Sequence, residues 1–326
     1  MTIRVAVLGL GVMGRQHLRI LSDLGGAEVL AASDAASSSD VAAQVPILAD
    51  WREVLELRPD AVVNALPTGL HFEVSQAFLD AGIHVLVEKP IATTVREARE
   101  LSTSADRAGV VLMVGHVERF NPVVETLRGL VRDGRLGRIV SASARRVGVS
   151  RPAIPHANVA LDLAIHDIDV LAYLLENDGR LLLSVGSTIG SNQLEDHVDL
   201  TIRYGETIAS IQANWITPVK IRRLELTGTK AYVQVDYIRQ SVKIFETIPE
   251  LIKGTPWDFF AVSQESKGVE IVVPSSEPLR RELEHFLECI RLGATPMSDV
   301  RSATKALALA IEATDAARGM QLTPTL

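Results

Sequence analysis

Val5-Ala6-Val7-Leu8-Gly9-Leu10-Gly11-Val12-Met13-Gly14, inside the stretch from Arg4 to Asp34, decides how the chain is read. Val5 to Leu8 is a short apolar run of the kind a buried strand uses. Three glycines follow as Gly9-x-Gly11-x-x-Gly14, and Leu18, Leu21 and Leu24 then recur at helical spacing. A second apolar run, Val29 to Ala32, ends in Asp34. Strand, glycine turn, helix, strand and acid make the context that a dinucleotide fingerprint requires. Gly9 permits the tight turn. Gly11 lets the backbone approach a pyrophosphate at the positive end of the helix, and Gly14 lets helix and strand pack closely. Val12 and Met13 lie in the same turn and count with the glycines as cofactor contacts. Asp34 can accept hydrogen bonds from ribose hydroxyls, and its charge disfavours a 2′-phosphate. NAD is therefore the expected cofactor, with NADP as the lesser choice. An ordinary glycine turn in an α/β protein is the plainer reading of the same residues.

The 326 residues are enough for two domains, and a hydrophobic fraction of 47% supplies a large core. A net charge of −7, without a long basic run, gives no reason to expect nucleic acid. Cys289 is the single cysteine, so no intramolecular disulfide can form, and a cytoplasmic location is expected. Arg4 and the early glycine turn argue against reading the first residues as a cleavable leader. No apolar run is long enough to span a bilayer. Ser37-Ser38-Ser39 reads as a polar turn after the second strand.

The alternation of strand and helix continues through the first third of the chain. Val45 to Leu48 is a candidate third strand, and Trp51 to Leu57 a short helix. Ala61 to Leu66 reads as a strand ending at Pro67-Thr68, followed by a helix from His71 to Ala81 closed by Gly82. His84 to Val87 is the next strand and ends in Glu88-Lys89-Pro90. Thr94 looks like the N-cap of a helix stopped by Gly109, and Val110 to Val114 is a further strand. Ligands bind beyond the carboxyl ends of strands in an open parallel sheet, which places Pro67, Thr68, His71, Glu88 and Lys89 on the cofactor side. Lys89, before a proline, has a restricted backbone, and a cis Lys89-Pro90 bond would fix it toward the cofactor. A solvated loop lysine is the alternative. The pattern predicts a doubly wound parallel sheet, with a boundary that gives domains 1–118 and 119–326.

Beyond it, Asn121-Pro122 is a candidate helix start, and Ile139 begins an extended segment. A loop with Pro152 and Pro155 leads to Ala160 through Leu171, read as a helix. Asp162 and His166 stand at i and i+4, hence on one face, so the carboxylate can orient the imidazole as a proton shuttle. Asp169 can join them. An exposed polar stripe and a metal site are the alternatives for these three residues. From Leu182 to Phe245 the pattern alternates, with hairpin turns at Gly205-Glu206 and Gly228-Thr229, which predicts a mainly antiparallel sheet. Lys220, Arg222 and Arg223 form a basic cluster that suits either a substrate phosphate or a charged strand edge. Pro278 to Leu292 is an amphipathic helix with Leu283, Phe286, Leu287 and Ile290 inward, and Ala303 to Arg318 is a final Ala-rich helix stopped by Gly319.

Gly9-x-Gly11-x-x-Gly14, Glu88-Lys89-Pro90 and Asp162-x-x-x-His166, in that order, resemble the glucose–fructose oxidoreductase / inositol dehydrogenase / MocA-like (Gfo/Idh/MocA) family of NAD(P)-dependent enzymes. The resemblance covers essentially the whole chain, including the closing Glu277-Pro278-Leu279 helix. It implies an N-terminal Rossmann domain and a C-terminal α/β domain whose large open sheet forms homodimers or homotetramers. Lys89, Asp162 and His166 match the family's catalytic lysine, aspartate and histidine, which implies an active site between the domains. Gly115 through Pro122, the stretch from Asp162 to Asp169, and Trp215-x-x-Pro218-x-Lys220 look closest to the UDP-N-acetylglucosamine 3-dehydrogenase branch. That likeness implies a diphosphate contact at Lys220, Arg222 or Arg223 and a sugar pocket lined by Arg119 or Asn121. One departure is Asn158-Val159-Ala160, which stands where many relatives carry glycines. The activity implied is oxidation of a secondary hydroxyl on a UDP-linked N-acetylhexosamine, with no metal. A free polyol such as inositol is the second substrate class, and a non-catalytic NAD-binding regulator or a glycosidase with transient NAD chemistry are further alternatives.

Overall fold

The computed structural model describes residues 2–36, 45–149, 158–189, 194–246 and 268–319. The expected turn at Ser37-Ser38-Ser39 and the prolines Pro152 and Pro155 lie outside the described residues. The chain divides into two compact units, Met1–Phe120 with Glu277–Ala308, and Asn121–Ser276 with Leu309–Leu326.

The first unit begins with β1 (Ile3–Leu8), α1 (Val12–Asp23), β2 (Ala27–Ser33), β3 (Ile47–Leu48), α2 (Trp51–Glu56) and β4 (Ala61–Asn64). It continues with α3 (His71–Asp80), β5 (His84–Glu88), α4 (Val95–Ala108) and β6 (Leu112–Gly115). Its sheet runs β3-β2-β1-β4-β5-β6, and every neighbouring pair is parallel. The strand order reverses between β1 and β4, which is where a doubly wound sheet opens a ligand crevice. Local chemistry sets the helix ends. Asp50 and Glu53 form a capping box at α2, and Thr94 and Glu97 form one at α4. Gly109 ends α4 in the left-handed conformation, as its position after the last periodic residue predicts. The central strands are buried on both faces, which explains the unbroken apolar runs in β1, β4 and β5.

The second unit holds α5 (Pro122–Arg132), β7 (Ile139–Val147), a π-turn (Ala160–Ala164) running into α6 (Ile165–Leu175), and β8 (Gly179–Ser187). The strands β9 (His197–Tyr204), β10 (Thr207–Asn214), β11 (Ile221–Gly228), β12 (Ala231–Asp236), β13 (Ser241–Glu246) and β14 (Val269–Ile271) follow. The sheet order is β14-β13-β12-β11-β7-β10-β9-β8. It is antiparallel except where β7 enters its middle and pairs parallel with β10. Asn121 caps α5 ahead of Pro122, as the Asn-Pro signal predicts.

The fold is thus α/β, with a doubly wound parallel sheet and a second sheet that is mixed and mainly antiparallel. A single boundary at 118/119 misses one feature of it. The chain returns to the first unit with α7 (Pro278–Leu292), whose Leu279, Leu283, Phe286 and Leu287 join the core of Val5, Val7, Leu18 and Leu21. The last helix, α8 (Val300–Gly319), starts three residues earlier than the Ala-rich run suggests. Among the described residues no helix is long and apolar enough to cross a membrane.

Candidate functional site

The glycine turn after β1 separates three tasks. Gly9 has φ +85°, and a Cβ there would stand 2.7 Å from the Ala65 carbonyl oxygen. A Cβ on Gly14 would overlap the Gly9 carbonyl, so Gly14 lets α1 close against the turn. A Cβ on Gly11 would meet nothing within 4 Å. Gly11 therefore borders open space at the N-terminus of α1, which has no side-chain cap. Uncapped amide groups at a positive helix end, beside a glycine facing open space, fit a dinucleotide diphosphate. Val12 is 76% exposed beside them, while Met13 packs against the core. Asp34 follows β2, and its carboxylate accepts the Leu10 amide at 2.6 Å and the Ala36 amide at 2.8 Å. It therefore braces the turn.

Pro67 and Thr68 open a short 3-10 turn after β4. His71, expected on the cofactor side, is 1% exposed. Its Nε2 meets the Leu66 carbonyl at 2.7 Å and its Nδ1 the Pro90 carbonyl at 2.8 Å. The ring ties the loop after β4 to the loop after β5. Burial pushes the imidazole below its ordinary pKa, while the two carbonyls pull the other way. Lys89 is half-buried, and the Lys89-Pro90 bond is cis. Glu88 is buried with Oε1 2.8 Å from His17 Nε2, and its Oε2 accepts the Lys89 amide at 3.2 Å. Burial alone would raise the Glu88 pKa, but His17 and Lys89 hold it below the ordinary value. Glu88 is thus a buried brace behind Lys89.

In the second unit, Asp162 lies on the π-turn and His166 on the first turn of α6, both half-buried. π-turns recur at functional sites. Of the three residues in the exposed-stripe reading, Asp169 is 1% exposed while Asp162 and His166 are half-buried; Asp167 beside them is also 1% exposed. Asp167 takes a bidentate pair from the buried Arg146, at 2.7 and 3.0 Å. Asp169 and Asp167, with burial the larger cause, push the Tyr204 phenol upward. Among the described residues no group of three or more His, Cys, Asp or Glu side chains could hold a metal ion.

The expected substrate residues divide. Arg119 is buried in the first unit and donates to the Met297 carbonyl. Asn121 is also buried; its Oδ1 accepts the Val123 amide and its Nδ2 donates to the Tyr237 carbonyl. Both side chains thus bond to backbone groups of their own unit. Arg222 donates to the Val147 and Ile221 carbonyls at 2.6 and 2.8 Å, and Arg223 stands 3.7 Å from Asp236. Lys220 is exposed.

Three features escape sequence reasoning. Trp215 donates its indole N–H to Asp162 Oδ2 at 3.1 Å. Asn158, at the position expected of a glycine, is a buried cap: its Oδ1 accepts the Leu161 amide, and its Nδ2 donates to Glu195 and Thr314. Glu282 of α7 is wholly buried near Glu88. Only Asn158 left a local signal, as an Asn just ahead of a helix.

Comparison with known proteins matches residues 3–116 to the model described as oxidoreductase family, NAD-binding Rossmann fold. Residues 124–234 match the GFO/IDH/MocA C-terminal domain. The UDP-N-acetylglucosamine 3-dehydrogenase of Acidithiobacillus ferrooxidans is 25% identical over 310 residues, 95% of each chain. The scyllo-inositol 2-dehydrogenase (NAD(+)) of Bacillus subtilis is 28% identical over 335 residues, 97% of this chain and 94% of the relative. A solved structure of the Acidithiobacillus ferrooxidans enzyme superposes with a TM-score of 0.84 at 22% identity, over 98% of this chain and 99% of that one.

Proposed function

The chain belongs to the Gfo/Idh/MocA oxidoreductases, which have an NAD-binding Rossmann fold, and from that premise we propose that it oxidises a secondary hydroxyl of a sugar, the 3-hydroxyl of a UDP-N-acetylhexosamine. The observation that carries the substrate class is the similarity to a UDP-N-acetylglucosamine 3-dehydrogenase along 95% of both chains. Gly9, Gly11, Gly14 and the first amides of α1 would hold the diphosphate of NAD, and Asp34 the ribose, so that NAD is preferred over NADP. NAD, when bound, supplies the carbon that accepts the hydride.

The rest of the chemistry falls to the protein. Losing a hydride from a carbinol carbon requires that the hydroxyl proton leave to a base. His166 takes that proton through its imidazole, whose ordinary pKa lies near neutrality. Asp162 stabilises the imidazolium that results. Lys89 stabilises the developing alkoxide. Lys220, the exposed member of the basic cluster, meets the substrate diphosphate. The reading includes a cytoplasmic location and a homo-oligomer formed through the sheet of the second unit.

A second reading, oxidation of a free polyol, is favoured by the 28% identity to a scyllo-inositol 2-dehydrogenase and by the Arg222 guanidinium being committed to backbone carbonyls. NADH absorbance separates the two. Purified protein with excess NAD should give a signal with UDP-N-acetylglucosamine and none with scyllo-inositol. The reverse would replace the substrate class, and silence with both would overturn the proposal.

A further inference from the structure

We propose that Trp215 is a positioning residue for the Asp162 carboxylate: its indole N–H holds Oδ2, fixing the carboxylate in one orientation and in its ionised form. The inference rests on the catalytic reading of Asp162 and His166 and adds a residue to which that reading gives no role.

Both partners stand on backbone that is fixed independently of their hydrogen bond. Trp215 is 7% exposed and follows β10 directly. Its own amide donates to the Asp196 carbonyl at 2.9 Å. The preceding Asn214 accepts the amides of Ile216 and Thr217 on its side-chain oxygen, at 3.3 and 3.0 Å, and so closes a turn around Trp215. On the other side, the Asp162 amide donates to the Asn158 carbonyl at 3.0 Å. The Asn158 side chain accepts the Leu161 amide at 3.0 Å and is itself tied to Glu195 and Thr314. The indole and the carboxylate are therefore brought together by two braced segments.

The choice of acceptor is informative. A buried indole N–H needs a partner, and a backbone carbonyl would satisfy it. Here the partner is a half-buried carboxylate, whose charge is costly to shelter unless it is hydrogen-bonded. An indole can only donate, so the contact favours the anion over the protonated acid. On the catalytic reading Asp162 raises the basicity of His166, and the indole contact, by drawing charge from the carboxylate, tempers that effect. Removing the donor leaves a more basic carboxylate and a more readily protonated imidazole. Both effects shift the acidic side of the pH–rate profile in the same direction.

The test is Trp215→Phe, which keeps a flat apolar ring and deletes the donor. The variant should lose about tenfold or more in kcat with an unchanged KM for NAD. The acidic limb of its kcat/KM profile should move to higher pH. A second readout needs no turnover: in protein labelled with 15N-tryptophan, one indole resonance should shift with pH in the wild type. That resonance should be absent from Trp215→Phe and lose its pH dependence in Asp162→Asn. An unmoved acidic limb in a folded Trp215→Phe variant, or an indole resonance indifferent to Asp162→Asn, would overturn the proposal. Should Trp215→Phe fail to fold, the indole titration in the wild type and in Asp162→Asn decides alone. If Asp162→Asn and His166→Ala keep full turnover, the catalytic reading fails instead, whatever the indole resonance does.

Discussion

Gly11 and Gly14 stand three residues apart in one turn, yet a methyl group added at each would meet different surroundings. At Gly14 it would overlap the Gly9 carbonyl oxygen, and at Gly11 it would enter open space. Gly14→Ala should therefore destabilise the first unit by about 1–3 kcal/mol or more, the range for forcing a methyl into packed structure. Gly11 already has φ −65°, which alanine adopts freely, so Gly11→Ala should leave the melting temperature nearly unchanged. The same change should weaken NAD binding at least tenfold, because its methyl would occupy the space left for the diphosphate. Thermal melts and NAD titration calorimetry of the two variants check both statements. Equal loss of stability in both would remove the distinction. The jobs of these glycines were legible in the sequence because their spacing and flanks repeat a known local geometry. The burial of Arg119, Asn121 and His71 was not, because a polar residue after a strand looks the same whether it faces a ligand or ties two loops together.

At the scale of elements, periodicity found a helix face but not the neighbour that face would meet. The amphipathic helix α7 was legible from Leu283, Phe286, Leu287 and Ile290. Nothing in its sequence announced that Glu282 would be buried near Glu88, with neither carboxyl oxygen finding a partner among the described residues. Burial, and then the Glu88 charge, push the Glu282 carboxyl well above its ordinary value of 4.5. A carboxyl raised in the folded state holds its proton there after the unfolded chain has released it. Stability therefore falls as pH rises above the unfolded value, by up to about 1.4 kcal/mol per pH unit, until the folded group titrates. Glu282→Gln removes that slope. The variant's advantage in denaturant midpoint should grow between about pH 5 and pH 8, roughly the window above the unfolded carboxyl pKa. A constant offset across that range would contradict a buried neutral acid. Likewise β7 was seen as an extended segment, but its central place in the sheet and its parallel pairing with β10 depend on non-local contacts that no short window contains.

For the whole molecule, the sequence showed a doubly wound half followed by an alternating half, and the resemblance to an oxidoreductase family named both. It did not show that the chain comes back to finish its first unit. The core around Val5, Val7, Leu18 and Leu21 is completed by Leu279, Leu283, Phe286 and Leu287 from α7. A fragment ending at Phe120 should therefore lack a cooperative thermal transition, since removing several fully buried large side chains costs about 2–5 kcal/mol each. Circular dichroism on heating the fragment checks this, and a sharp, reversible melt would show that the Rossmann segment is self-sufficient. The oxidation itself is tested most directly by following the hydrogen. UDP-N-acetylglucosamine carrying deuterium at C3 would be incubated with the protein and NAD, and the reduced cofactor weighed by mass spectrometry. NADH carrying one deuterium is the predicted product. Unlabelled NADH, or no NADH with the sugar unchanged, would contradict oxidation at that carbon.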